Sequence, residues 1–202
     1  MKKINFILAV LLIITSGSAQ VDLKSERKFY KQSDWEFNIS SNIGRSSKQT
    51  KETYYYSYDR TEKGTFCNLG ISTGFYIIDG LSIEPEFDLN LNSEGLSVSL
   101  LGNMCYSFYL PQKDIYPYLK LGYGVSNDPE NQNGLFEYLK FKTINAGAGV
   151  KLMYSSAMAF RVEINYRTLS GSYTSYPDTP NSYTTESTTS IISVLIGISI
   201  LF

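Results

Sequence analysis

Apolar and polar residues alternate with a period of two along most of the chain after residue 33, which is the pattern of half-buried β-strands. The clearest case is LSIEPEFDLNLN, where the alternation begins at Leu81 and has no fault, so that one face is apolar and the other polar. The same period predicts eight strands and no transmembrane helix after the N-terminal region. The predicted strands cover residues 33–44, 64–78, 81–93, 95–109, 115–126, 138–154, 158–169 and 187–202.

Short and long connections alternate between these predicted strands, apart from a short one near residues 93–95. We therefore expect an all-β, eight-stranded antiparallel up-and-down transmembrane β-barrel, in which short turns face the periplasm and longer loops face outward. Each segment is long enough to cross the hydrocarbon layer as a tilted strand of roughly 9–11 residues. The tight connections are 78–80, 110–114 and 155–157, and the long ones are 45–63, 127–137 and 170–186.

The first residues, MKKINFILAVLLIITSGSAQ, have the layout of a secretory signal peptide. Two lysines precede an apolar run over residues 4–14, and small residues follow up to a predicted cleavage after Ala19. This run is shorter than the roughly 20 residues that a membrane-spanning helix needs. The predicted organisation is a signal peptide at 1–19, a short periplasmic leader at 20–32 and the barrel at 33–202.

Alternation alone fits both a soluble barrel with an apolar interior and a membrane barrel with a polar interior. The polar face carries charged residues, and an eight-stranded interior is just wide enough for side chains to fill it. Because the third and seventh strands lie opposite each other, their acids and bases can pair across the lumen. We expect a salt-bridged plug, with a narrow ion path as the alternative. The predicted lumen charges are Glu36, Glu84, Glu86, Asp88, Lys120, Lys151, Arg161, Glu163 and Arg167.

The last predicted strand ends on Phe202, and the alternate residues from Ile192 to Ile200 share its face. This ending resembles the C-terminal signal of bacterial outer-membrane barrels. With the signal peptide and the paired strands, residues 33–202 resemble the eight-stranded OmpA/OmpX-type barrels, also called porin-like β-barrel domains. The resemblance implies export to the periplasm and insertion into the outer membrane of a Gram-negative cell. It also implies that Phe202 is an assembly signal read by the outer-membrane assembly machinery.

The chain contains no histidine, which bears on catalysis and on metal binding. Barrels of this kind that act on lipids resemble one another in using a catalytic His, and serine chemistry generally needs a base. We therefore expect no enzymatic activity, no cofactor and no metal site. The net charge of −1 shows no basic excess, which argues against a nucleic-acid partner.

The two cysteines occupy opposite faces of their predicted strands. Cys67 shares the apolar face with Leu69 and Ile71, whereas Cys105 alternates with Met104 and Tyr106. Side chains on opposite faces of one sheet cannot meet, so two free thiols are expected even in an oxidising compartment.

Two further groups are candidates for contacts outside the barrel. Lys63, Lys140 and Lys142 are predicted near the outer interface as a collar for lipopolysaccharide phosphates, with solvated lysines as the alternative. Tyrosines in the first and last long loops resemble those of binding surfaces, where Tyr supplies contact area with little rotamer loss. The alternative for them is an aromatic girdle below polar loops. These residues are Tyr54, Tyr55, Tyr56, Tyr58, Tyr173 and Tyr176.

The function expected from these features is structural or surface-interacting, in adhesion or envelope integrity. A narrow porin-like channel for small solutes or ions is the alternative, and a soluble ligand-binding barrel comes third. The expected partners are outer-membrane lipids and lipopolysaccharide, the assembly machinery, and an extracellular ligand or host surface.

Overall fold

The computed structural model describes residues 30–53, 57–92, 95–110, 114–127, 141–175 and 183–202. Eight antiparallel strands form a closed barrel in which each strand pairs with the next along the chain and β1 pairs with β8. The predicted eight-stranded up-and-down barrel is therefore confirmed. The strands are β1 (Trp35–Thr53), β2 (Ser57–Ile78), β3 (Leu81–Asn92), β4 (Gly95–Ser107), β5 (Ile115–Ser126), β6 (Phe141–Ser155), β7 (Met158–Ser175) and β8 (Tyr183–Leu201).

The apolar faces of the strands point outward and the polar faces point into the lumen. On β3, Ile83 and Leu91 are exposed, whereas Ser82, Glu84 and Asp88 are buried. This distribution is the inverse of a soluble barrel and is typical of a barrel surrounded by lipid. Separately, the described residues include no helix that is long and apolar enough to cross a membrane.

The start of β1 and the end of β8 lie at the same end of the barrel, which we call the base. The opposite end of the barrel is the rim. At the base, Trp35 and Phe202 exchange backbone hydrogen bonds of 2.9 and 3.3 Å. The β2–β3 hairpin also turns here through Asp79 and Gly80. Gly80 has a φ of 79°, which a tight hairpin turn requires and which glycine adopts without a steric penalty.

At the rim, two of the predicted long loops are wrong over most of their length. Residues 45–53 and 57–63 belong to β1 and β2, which stay paired up to Thr53 and Ser57. Residues 170–175 and 183–186 likewise extend β7 and β8. Since β8 pairs with β1, the strands β7, β8, β1 and β2 form one continuous sheet, and at the rim this sheet extends beyond the β3–β4 hairpin. We call this extension the wall.

The two cysteines are free, as predicted, with Cys67 exposed and Cys105 buried. The predicted signal peptide and residues 20–29 of the predicted leader lie outside the described residues, and their assignment stays a prediction.

Candidate functional site

All nine charged residues predicted for the lumen are buried there. Their position follows from strand parity, because every one of them alternates with an outward-facing residue. They do not form isolated pairs. Acids and bases alternate along one continuous path that links Glu36, Lys151, Glu84, Arg161, Glu163, Lys120, Glu86, Arg167 and Asp88 in that order.

The part of the path nearer the base joins strands β1, β6, β3 and β7. Lys151 Nζ lies 2.6 Å from Glu36 and 4.0 Å from Glu84. Arg161 then contacts Glu84 and Glu163 at 3.2 Å each, through its two terminal nitrogens. Each of these bases therefore contacts two carboxylates, so that no acid of this part of the path lacks a basic partner. Buried charges need such partners because an unpaired one is costly.

The part nearer the rim joins β5, β3 and β7. Lys120 Nζ lies 2.7 Å from Glu163 and 3.4 Å from Glu86. Arg167 contacts Glu86 at 3.1 Å and ends the path at Asp88, 2.6 Å away. The acids of β3 thus meet the arginines of β7 across the lumen.

Two tyrosine hydroxyls and a glycine complete this arrangement. Tyr76 donates a 2.6 Å hydrogen bond to Glu36 and accepts one from Lys151, while Tyr118 donates a 2.7 Å bond to Glu163. A Cβ on Gly147 would lie 2.5 Å from an oxygen of Glu163. The absence of a side chain at this position leaves room for the carboxylate.

Tyr30 closes the base of the lumen, and the sequence did not single it out. Its ring stacks on Tyr76 with centroids 5.0 Å apart and meets Tyr116 edge-on at 5.3 Å. The Lys151 ammonium lies 4.6 Å from the centroid of the same ring. Burial, reinforced by the carboxylate of Glu36, raises the pKa of the Tyr30 hydroxyl well above its ordinary value. The hydroxyl therefore stays protonated near neutral pH.

The chain around Tyr30 is fixed by backbone hydrogen bonds, which the leader prediction did not foresee for residues 30–32. The Gly80 amide donates to the Tyr30 carbonyl at 2.9 Å, and the Ser33 amide donates to the Tyr76 carbonyl at 2.8 Å. Gln32 donates its amide to the Asp79 carboxylate at 2.8 Å. These residues cross the base as part of the barrel.

The structure does not bring together the two described lysines of the predicted collar. Lys63 and Lys142 are exposed, on β2 and β6 respectively, and Lys140 lies outside the described residues. The strands β7, β8 and β1 separate the two described lysines around the barrel. Lys63 instead shares a groove with Arg45, which the sequence analysis did not single out.

Two of the tyrosines predicted for partner recognition lie within the described residues, and both are at the rim. Tyr58 and Tyr173 belong to β2 and β7 and are in register with Glu52 and Thr185. Tyr54, Tyr55, Tyr56 and Tyr176 lie outside the described residues. The described part of the chain holds no group of three or more acids and cysteines arranged to bind a metal ion.

Phe202 lies at the base, one residue beyond the end of β8. Its ring is exposed, and its backbone continues the β8–β1 pairing through Trp35. Its predicted role as an assembly signal stays a prediction.

No protein-family model matches this chain, and no curated protein matches its sequence. Similar solved structures include the outer membrane protein OprG from Pseudomonas aeruginosa, at 14% identity and a TM-score of 0.53 over 87% of this chain and 98% of that one. The outer membrane enzyme PagL matches at 15% identity and a TM-score of 0.51, over 79% and 97% of the two chains. Neisserial surface protein A matches at 12% identity and a TM-score of 0.46, over 81% and 96%. At such identities the likeness concerns the fold alone: this chain is an eight-stranded transmembrane β-barrel with the fold of the small outer-membrane barrels.

Proposed function

We propose that this protein is a non-enzymatic outer-membrane barrel of a Gram-negative cell that presents its wall to a partner at the cell surface. Its role is adhesion or envelope integrity, and its lumen is closed to solutes. The observation that carries the proposal is the wall itself, because four adjoining strands extend beyond the β3–β4 hairpin. In this proposal the rim faces the outside of the cell, because the start of β1 and the end of β8 both lie at the base.

The wall offers an edge that an extended segment can join. Residues 57–66 of β2 pair with β1 on one side, but among the described residues β3 pairs with β2 only as far as Cys67. A partner strand can add to such an edge through main-chain hydrogen bonds. Asp59 and Arg60 are exposed on it, and charges of this kind discourage edge-to-edge aggregation.

Closure of the lumen is supported by the continuous ion-pair path and by Tyr30 across the base. The absence of histidine supports a role without catalysis. PagL is described as an enzyme, but the shared fold does not carry that activity over to this chain.

A shortened wall tests the proposal. The pair Lys48↔Glu62 allows residues 49–61 to be replaced by Asn-Gly, since a two-residue turn can join directly opposed antiparallel residues. We expect the variant to fold, seen as heat-modifiable migration on a detergent gel, but to lose adhesion to host cells or protection against detergent. Cells that express a folded shortened barrel and keep both properties would contradict the presentation role.

The same refolded protein tests whether the lumen is closed. In planar bilayers we expect no steady ion current from the full-length barrel. A steady current of uniform size would favour the narrow channel for small solutes or ions.

A further inference from the structure

A groove of about 840 Å³ lies on the outer face of the barrel where the wall leaves the apolar surface. We propose that this groove binds the anionic phosphate monoester of a membrane-anchored lipid. The proposal rests on the membrane placement of the barrel but is independent of what the wall binds. The groove is lined mainly by Arg45, Ser47, Lys63, Tyr166, Ser190 and Ile192.

Two cations lie side by side in this groove. The register pairs Arg45 with Thr65 and Ser47 with Lys63, so that the two basic residues stand diagonally on adjacent strands. Diagonal neighbours on one face have Cα atoms roughly 7–8 Å apart, which long side chains can bridge. Both are exposed, and at this spacing the two long side chains can reach the same phosphate.

These two cations differ from those of the lumen, each of which contacts two carboxylates. In the part of the chain that the structure describes, no carboxylate lies within 4 Å of Arg45 or Lys63. The outward acids Asp59 and Glu186 are opposite Lys51, further toward the rim. The local charge is positive and suits an anion.

Hydroxyl groups add uncharged donors to the groove. Ser47 is paired with Ser190 on its β8 side, and the Tyr166 hydroxyl donates to Ser190 at 3.4 Å. Together with the two cations, they surround the groove with the donor types that phosphate oxygens accept from.

The residues immediately toward the base identify the anion as part of a lipid. Ile43, Val194 and Ile164 lie in one cross-strand row and are 70%, 50% and 64% exposed. Ile192 adjoins this row and lines the groove. A ligand that fits both parts has an anionic head and apolar chains, which is the chemistry of a phosphorylated lipid and not of free phosphate.

Native mass spectrometry of the full-length barrel in a neutral detergent tests this site. The probe is phosphatidic acid, and phosphatidylcholine with the same acyl chains is the matched lipid without a phosphate monoester. We expect the wild type to prefer phosphatidic acid and Arg45→Gln/Lys63→Gln to bind it about tenfold more weakly, because each basic residue near a membrane contributes to attraction of anionic lipid. The control Lys31→Gln/Lys51→Gln removes the same charge elsewhere and should bind like the wild type.

Three results would overturn the proposal. They are unchanged binding by the folded Arg45→Gln/Lys63→Gln variant, equal binding of both lipids by the wild type, and displacement of phosphatidic acid by an equal concentration of inorganic phosphate. The last would assign the groove to free phosphate. Heat-modifiable migration of the same samples shows whether each variant has folded. If Arg45→Gln/Lys63→Gln does not fold, Tyr166→Phe/Ser190→Ala decides, since it must weaken binding of phosphatidic acid while keeping the charge. Loss of adhesion by a shortened wall leaves this measurement unaffected.

Discussion

At the scale of single residues, each basic side chain of the lumen forms ion pairs with two acidic side chains. Arg161 is the clearest example, because its guanidinium contacts Glu84 and Glu163 and donates to the Tyr118 hydroxyl. Removing such a residue leaves two carboxylates without this partner in a buried site. The planar fork of arginine suits this position, whereas a lysine ammonium cannot offer the same geometry.

Arg161→Ala should therefore lower the free energy of unfolding by about 3–5 kcal/mol, the usual cost of breaking a buried ion pair by removing one partner. Urea unfolding of the barrel in lipid vesicles measures this loss. The same variant should be examined in planar bilayers, because a weakened path can also open a measurable conductance. A variant with unchanged stability and no conductance would argue against a structural plug.

Arg60→Ala is the matched control for this change. Arg60 also forms an ion pair, with Glu62, but 64% of its side chain is exposed. Exposed pairs contribute roughly 0–1 kcal/mol, so we expect a cost in that range. An equal cost for Arg60→Ala and Arg161→Ala would mean that burial of the lumen charges is not what makes them important.

At the scale of elements, the segment 30–34 acts as a strap across the base. Its backbone is tied to the β2–β3 hairpin, and the ring of Tyr30 packs with Tyr76, Tyr116 and Leu201 in one buried cluster. The strap before β1 thus packs against Leu201, the last residue of β8.

Tyr30→Ala should release the strap while leaving the strands in place. We expect trypsin to cleave after Lys31 about tenfold faster or more, since loss of a buried aromatic side chain raises the population of the locally open form. Tyr30→Phe keeps the ring and should be cleaved at the wild-type rate, and so should Tyr154→Ala, which removes an exposed ring. Unchanged cleavage of Tyr30→Ala would show that the backbone bonds alone hold the strap.

The sequence pattern predicts a strand correctly where one face is polar and lines the lumen and the other face is apolar and contacts lipid. The pattern places β3 within one residue, because the alternate polar residues from Ser82 to Asn90 all face the lumen. The wall was missed because residues such as Lys48 and Thr50 follow no apolar alternation where both faces are polar. Tyr30 was missed because its partners lie far along the chain. Arg45 carried no signal either, since only the register places it beside Lys63.

At the scale of the whole molecule, closure depends on the pairing of the first strand with the last. That pairing runs from the wall to the base and ends at Trp35 and Phe202. A substitution at Phe202 therefore tests whether its side chain contributes to the stability of the closed barrel or to its assembly in cells.

Phe202→Ser should reduce the amount of barrel assembled in the outer membrane more than the yield of refolding in detergent. The reason is that its ring is 71% exposed and its backbone bonds to Trp35 do not require an aromatic side chain. Quantitative blotting of membranes and gel mobility after refolding measure the two yields. Phe108→Ser, which removes another exposed ring, is the control. Equal losses in both measurements would mean that Phe202 is only a packing residue.

The ion-pair path also divides the chain into two unlike halves. Of its nine charges, the four on β1 to β4 are all acids, whereas β5 to β8 carry the four bases and Glu163. A fragment made of either half would repel a second copy of itself and attract the other half. The lumen charges thus favour association of an N-terminal fragment with a C-terminal fragment. A mixture of the two fragments should therefore re-form the barrel as a heterodimer in preference to either homodimer.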